Sequence, residues 1–359
     1  MKKLRNITMI LFFTIAIVIV VVCSLYNYQL TPVDKNDNNS IEVVIPSGAS
    51  VKNIGDILED KGLIRNSRFF YIYSKLYKIN DMKATTYTFS KSMSLEEIVE
   101  SLRKGNDYNP DEITITFNEG INMRKVAKII SENTNNKYED VLNLLKDEKY
   151  INELINEYWF ITEEIKNKEI YYSLEGYLYP NTYKFKNKDV TIKEIFKTML
   201  DESNKILSKY KTIINSNKYT VHQILTLASV VELEGVNTND RTGIAGVFFN
   251  RLNNNMQLGS DVTTYYASKV EMNERDLLIN EINEVNAYNT RPGAMAGKLP
   301  IGPIANVSEA SIKAVLYPVE SDYFYFVADK YGNVHFTKTY SEHQAKIAQL
   351  KNEGAWIEW

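Results

Sequence analysis

The segment LASVVELEG, residues 227–235, places two glutamates one residue apart at the end of an apolar run. A carboxylic acid held partly out of water has a raised pKa, and that is what proton donation to a leaving oxygen near neutral pH requires. The helix period separates the two acids. Val231, Val230 and Leu227 lie three, four and seven residues before Glu234, so its side chain extends the apolar stripe. At the same offsets Glu232 follows Ser229, Ala228 and Leu225, a smaller and more polar face. Two residues at about 100° each put the carboxylates roughly 200° apart, in different environments. Glu234 also sits in the last turn before Gly235, where the negative helix end adds to desolvation. Glu234 is therefore the expected proton donor. The plainer alternatives are a frayed helix end, or an ion pair of Glu234 with Arg241 or Arg251.

The rest of the chain narrows the chemistry. It has 359 residues, enough for two or more domains, and a formal net charge of -3, so no basic field draws it to nucleic acid. Cys23 is the single cysteine, which excludes disulfides within the chain and thiolate metal sites. His222, His335 and His343 are too scattered for a metal motif, and neither a dinucleotide-binding nor a phosphate-binding glycine loop occurs. No cofactor and no metal are expected, so catalysis falls to carboxylates, hydroxyls and amides.

At the N-terminus Lys2, Lys3 and Arg5 precede a charge-free apolar stretch, ITMILFFTIAIVIVVVCSLY. About twenty residues at 1.5 Å rise cross a hydrocarbon core of about 30 Å. The flanking cations favour a cytoplasmic N-terminus. No small-x-small cleavage site follows the run, and bulky Val22 before Cys23 argues against a lipoprotein. The expectation is a single-pass cell-membrane protein with its remaining chain extracytoplasmic: tip and anchor over 1–28, then a polar, flexible linker over 29–40.

The elements that must position the acid follow from patterning. A β-rich run, a Pro-Ser-Gly turn and an amphipathic helix open at residue 41. A second helix starts near Arg65, then come a β-like TTYTFS and the helix SLEEIVESLRKG, capped by Ser94 and Glu97 and stopped by Gly105. The opening strand–turn–helix pattern returns over 112–132, which suggests a duplicated unit. Helical segments run to about residue 168, and an aromatic loop, SLEGYLYPNTYKF, carries Glu175. Further helices are expected over 221–234, 242–252 and 308–316, with MQLGSDVTTYYA β-like or looped between the last two. The longest loops lie between Met256 and Val307 and are too apolar and turn-rich to be disordered. YFYFVADKYGNVHFT reads as a hairpin, and a final helix begins near Ser341. The fold class is α+β.

LASVVELEG, RTGIAGVFFNRL, MQLGSDVTTYYA, AYNTR, GKLPIGPIANV and YFYFVAD, with SLEGYLYPNTY before them, resemble in order and spacing the YceG-like family of membrane-anchored endolytic murein transglycosylases. The resemblance runs from about residue 41 to about 350. It implies a LysM-like domain over 41–107 and a mixed α/β catalytic domain with groove-lining loops over 108–359. The family's catalytic acid is the second glutamate of a VEKE-type motif, here VELE, which falls on Glu234; Leu233 stands in place of the usual lysine. Its LQSDPT-like stretch is LGSDVT here, with Gly259 and Val262 as departures. Its YNTY loop ends in Arg291, and its GLPPGPI-like loop is LPIGPI.

The resemblance also implies a mechanism. One carboxylate protonates the oxygen leaving MurNAc C1, then takes the proton of the MurNAc C6 hydroxyl as that oxygen attacks C1, leaving a 1,6-anhydro end. A second carboxylate, as in most glycosidases, is not needed. Ser260, Asp261, Thr263 and Asn289 then bind the N-acetyl group or steady the oxocarbenium-like charge, and Tyr265 and Tyr288 stack on sugar rings. Loop capping for Asn289 and Asp261, and core packing for the tyrosines, are the alternatives. Glu175 lines the groove or holds it structurally. Nascent glycan strands and wall synthases are the implied partners. Two rivals differ in class: a muramidase pairing Glu234 with Asp261, and a non-catalytic wall-binding scaffold.

Overall fold

In IEVV and TYTF alternate side chains are apolar, and each segment forms a strand with one buried face. These are β1 (Ile41–Val44) and β2 (Thr86–Phe89), paired antiparallel with Val43 opposite Tyr87. The structure is a computed structural model that describes residues 2–105, 111–235 and 237–356, with side chains from residue 12 onward apart from 13 and 238. It divides into two compact units, Met1–Asp111 and Glu112–Trp359. The boundary expected at 107/108 lies outside the described residues.

The first unit begins with α1 (Lys2–Leu30), helical throughout the apolar run. Among the described residues no helix is long and apolar enough to cross a membrane. Between the strands lie α2 (Val51–Asp60), capped by Ser50, and α3 (Ser67–Leu76), capped by Asn66. α4 (Leu95–Lys104) follows with the expected Ser94–Glu97 capping box, and Gly105 ends it at φ +78°. Val43, Leu58, Phe70, Phe89, Ile98 and Leu102 form the core. The segment 29–40 differs from the flexible linker expected. Arg65 donates to the carbonyls of Tyr28, Thr31 and Pro32, and Asp34 and Asp37 are bonded to Lys91 and Ser92, so the module holds it in place.

The second unit repeats the pattern further than its sequence suggested. β3 (Ile113–Phe117) and a glycine turn at Gly120 lead into α5 (Met123–Asn133), with Asn122 as cap. After α6 (Tyr138–Leu144) and α7 (Glu148–Glu157), β4 (Asn181–Phe185) returns antiparallel to β3 with Tyr183 opposite Ile115. α8 (Ile192–Ser208) then opens on a Thr191–Glu194 capping box, as α4 does on Ser94–Glu97. TYTFSKSMSLEEI and TYKFKNKDVTIKEI thus fill equivalent places.

The remaining elements are mostly helical. They are α9 (Lys211–Asn215), α10 (Val221–Glu234), α11 (Thr238–Asn253), α12 (Asp261–Ala267), α13 (Ile279–Asn283) and α14 (Glu309–Leu316). A hairpin of β5 (Tyr325–Ala328) and β6 (Val334–Thr337) turns at Gly332, φ +83°, and α15 (Tyr340–Asn352) follows. α10 and α11 both pack on α14. The segment read as β-like or looped is helical from Asp261, because Ser260 ends the loop in extended backbone and the apolar Val262, Tyr266 and Ala267 all turn inward.

Candidate active site

α10 starts where Thr220 and Gln223 cap each other's backbone N–H groups, at 3.2 and 3.0 Å. From Val221 to Glu232 nearly every side chain is buried, so the helix is a core element on all sides and not a striped one. Its last two acids have separate fates. Glu232 is buried: Arg241 donates to its Oε1 at 2.8 Å, while the N–H and Oγ–H of Ser308 donate to Oε2 at 2.8 and 2.6 Å. It thereby joins the ends of α10, α11 and α14, and Arg241 is spent on it and not on Glu234. Gly235 closes the helix for reasons of space: a Cβ there would lie 2.6 Å from the Cγ of Arg241.

Glu234 is half-buried and accepts one hydrogen bond, from Ser260 Oγ to its Oε1 at 2.5 Å. Desolvation raises its pKa above the usual glutamate value. The Ser260 hydrogen bond opposes this, Asp261 adds to it, and Arg251 and Arg291 oppose it through their charges. Ser260 is itself fixed: its N–H donates to Thr290 Oγ1 at 3.1 Å and its carbonyl accepts from Thr263 Oγ1 at 2.7 Å. Gly259 takes φ +60° just before it, and its N–H donates to the Thr290 carbonyl. A glycine at the departure from the family's glutamine therefore meets a left-handed turn without strain.

Arg251, named from sequence as a possible ion-pair partner of Glu234, makes no hydrogen bond to it and is held by backbone carbonyls instead. Its Nε donates to Phe324 O at 2.6 Å and its Nη1 to Leu258 O at 2.5 Å, and its guanidinium lies 5.2 Å from the Tyr325 ring centre. Desolvation lowers its pKa, and the Glu234 charge opposes this. The signal available was an arginine closing an otherwise apolar helical stretch, GVFFNRL. Arg291 forms an ion pair with Asp261 at the surface.

The other expected site residues divide into those near the acid and those that hold the loops. Ser260, Asp261 and Thr263 gather at the start of α12, but Thr263 is fully buried and serves Ser260 and Thr290. Tyr265, on the same helix, is half-exposed. Tyr288 is fully buried between Tyr171 and Tyr266, with ring centres 4.7 and 4.8 Å away, so it cannot stack on a sugar. Asn289 is fully buried as well. Its Nδ2 donates to the carbonyls of Glu281, Ile282 and Glu284, and its Oδ1 accepts from Thr264 Oγ1, so it ties the long loop to α12 and does not face ligand. Glu175 lies under α12, accepting from the N–H of Met123 at 2.9 Å and the hydroxyl of Tyr266 at 2.9 Å. Burial raises its pKa to about 7, so it lines no groove. Among the described residues no group of three His, Cys, Asp or Glu side chains is arranged for a metal ion.

The model of the YceG-like family matches residues 43–349. A Bacillus subtilis protein named endolytic murein transglycosylase is 36% identical over 328 residues, which are 90% of this chain and 89% of that protein. A Streptococcus pneumoniae protein of the same name is 34% identical over 339 residues, 90% of this chain but 61% of its own length. A crystal structure of a yceG-like protein from Listeria monocytogenes is 35% identical with a TM-score of 0.61, covering 86% of this chain and 99% of that one. With most of its length matched and its segments in the same order, the chain belongs to the YceG-like family.

Proposed function

We propose that this protein is an endolytic peptidoglycan lytic transglycosylase in which Glu234 is the catalytic acid and base. The names of the Bacillus and Streptococcus relatives support the reaction class. The observation that supports the residue is the half-buried Glu234 carboxyl, its pKa raised by desolvation and its Oε1 held by Ser260. In the protonated form it donates to the glycosidic oxygen leaving MurNAc C1. The resulting carboxylate takes the proton of the C6 hydroxyl as that oxygen attacks C1, and the strand ends in 1,6-anhydro-MurNAc. The proton lost in the first half is regained in the second, so one group completes the cycle. Arg251 and the Ser260 hydroxyl stabilise the carboxylate between these events. Tyr265 and the exposed Asp261–Arg291 pair border the substrate path.

In the single-carboxylate reading Asp261 stays paired with Arg291 and takes no part in the proton transfers. We further read α1 as an uncleaved membrane anchor with a cytoplasmic N-terminus, and the strand–helix–helix–strand unit after it as a LysM-like module. Action on nascent strands beside wall synthases follows from that reading.

The test is digestion of purified peptidoglycan by the full chain in detergent, with mass spectrometry of the fragments. The chain is expected to give fragments lighter by one water than hydrolytic ones, and Glu234→Gln to give none while keeping its circular dichroism. Reducing ends would establish the muramidase. No fragments from either protein would establish the scaffold, and equal anhydro profiles from both would remove Glu234 from the role of acid.

A further inference from the structure

In the first unit α3 carries an outward stripe that its own core does not use. Arg68, Tyr71, Ile72, Lys75 and Leu76 are all exposed. At about 100° per residue they cover an arc of roughly 140° on one side of the helix. Ile72 and Leu76 are 62% and 66% exposed, and Tyr77, just past the helix end, is 56%. The apolar residues alternate with cations: Arg68 and Lys75 lie within the stripe, and exposed Lys78 follows it. Between Lys61 and Asn80 the chain has no aspartate or glutamate. Of the acidic groups facing this helix, Glu96 of α4 faces the inner Tyr73, and Glu59 accepts from the N–H of Ser67 at the helix start.

The other face of α3 is fixed to the last turns of α1. The rings of Tyr26 and Phe69 meet edge-on at 5.5 Å, and the hydroxyls of Tyr26 and Tyr77 are 3.0 Å apart. Arg65, just before α3, donates to the carbonyls of Tyr28, Thr31 and Pro32 and lies 4.2 Å from the Tyr28 ring centre. The arginine that precedes α3 thus binds one carbonyl of the last turn of α1, Tyr28, and two of the segment just beyond it. α3 is held at the level where the apolar helix stops, and its tyrosines and cations are the residue types that settle at a bilayer surface.

We propose that α3 is an interfacial helix, its Tyr71, Ile72 and Leu76 seated among the headgroups of an anionic leaflet with Arg68, Lys75 and Lys78 against lipid phosphates. This rests on reading α1 as a membrane anchor. A stripe that carries cations and no carboxylate of its own selects an anionic lipid surface over an acid-bearing protein face. The consequence is orientation: an anchor alone lets a module swivel, whereas a helix lying on the surface sets which way the module faces.

The test places an environment-sensitive fluorophore on a single cysteine of the full chain in phosphatidylglycerol-containing vesicles. The label sits at native Cys23, or at Ile72→Cys or Lys52→Cys in a Cys23→Ser background. Emission at 23 and 72 is expected to shift to the blue, with 52 unchanged. Arg68→Gln with Lys75→Gln should reverse most of the shift at 72 and leave 23 as it was. A shift at 23 with 72 matching 52 overturns the interfacial helix and leaves the anchor standing. A shift at 72 without one at 23 supports the surface helix and removes the anchor, and no shift at either removes both. A concentration-dependent shift at 72 without vesicles indicates a protein partner and overturns the proposal.

Discussion

Ser260 and Glu234 are joined by a 2.5 Å hydrogen bond in which the hydroxyl donates to Oε1. That bond favours the ionised acid, so it opposes the desolvation that raises the Glu234 pKa. The first proton transfer needs the protonated form, so activity falls as pH rises through this pKa. Ser260→Ala should move that falling limb to higher pH and lower the optimum rate roughly tenfold through looser placement. A pH profile of anhydro-product formation checks it; an unmoved limb would show that the hydroxyl does not govern the acid.

Arg251 has two tasks that substitution can separate. Arg251→Met removes its bonds to the carbonyls of Phe324 and Leu258 and its charge near Glu234. Stability should drop by about 3 kcal/mol, since each such bond to a charged group contributes roughly 1.5–3 kcal/mol. The alkaline limb should also move upward. Arg251→Lys keeps the charge without the fork, so urea midpoints should fall while the limb stays in place.

Glu175 makes stability depend on pH. Its carboxyl titrates near 7 in the folded chain against an ordinary 4.5. Because the folded value is the higher one, the stabilisation is complete below pH 4.5 and disappears as pH rises through about 7. That difference corresponds to about 3 kcal/mol. Relative to wild type, Glu175→Gln should therefore gain about that much in urea unfolding between pH 4.5 and 8. Parallel curves would remove Glu175 from the account.

Asn289 separates holding from binding. Asn289→Ala leaves the carbonyls of Glu281, Ile282 and Glu284 without their shared donor, at a cost of about 3 kcal/mol. At temperatures where the variant stays folded, its KM for glycan should be within about twofold of wild type. A selective rise in KM with unchanged melting would restore the sugar-binding role.

Period and capping made much of this molecule readable from its residues. The Ser94–Glu97 box, the glycine stop after it and the hairpin around Gly332 are local signals, and each appears where the pattern put it. The place of Glu234 at a helix end was legible from the glycine after it, but the stripe that set it apart from Glu232 was not, since this helix is buried on all sides and Glu232 is the more buried acid. Tyr288 and Asn289 were misread because both are polar residues in a Gly- and Pro-rich loop. Only the three-dimensional path shows that this loop closes over α12 and buries them. The carbonyl partners of Arg251 and the pairing of Arg291 escaped notice because those partners are a distant hairpin carbonyl and an aspartate thirty residues away. The helix over Asp261–Ala267 was missed because its threonines and tyrosines favour strands, and burial overrode that preference.

The commitment of Asp261 to Arg291 has a chemical sequel for whatever this enzyme releases. With that aspartate held by an arginine and the C6 oxygen attacking in the proposed reaction, the anomeric carbon of the MurNAc end is locked into a bicyclic acetal. Such a terminus has no hemiacetal, does not mutarotate, and is invisible to copper or ferricyanide titration. It also offers no anomeric hydroxyl for reactivation, so each cut closes that end of the strand to further joining.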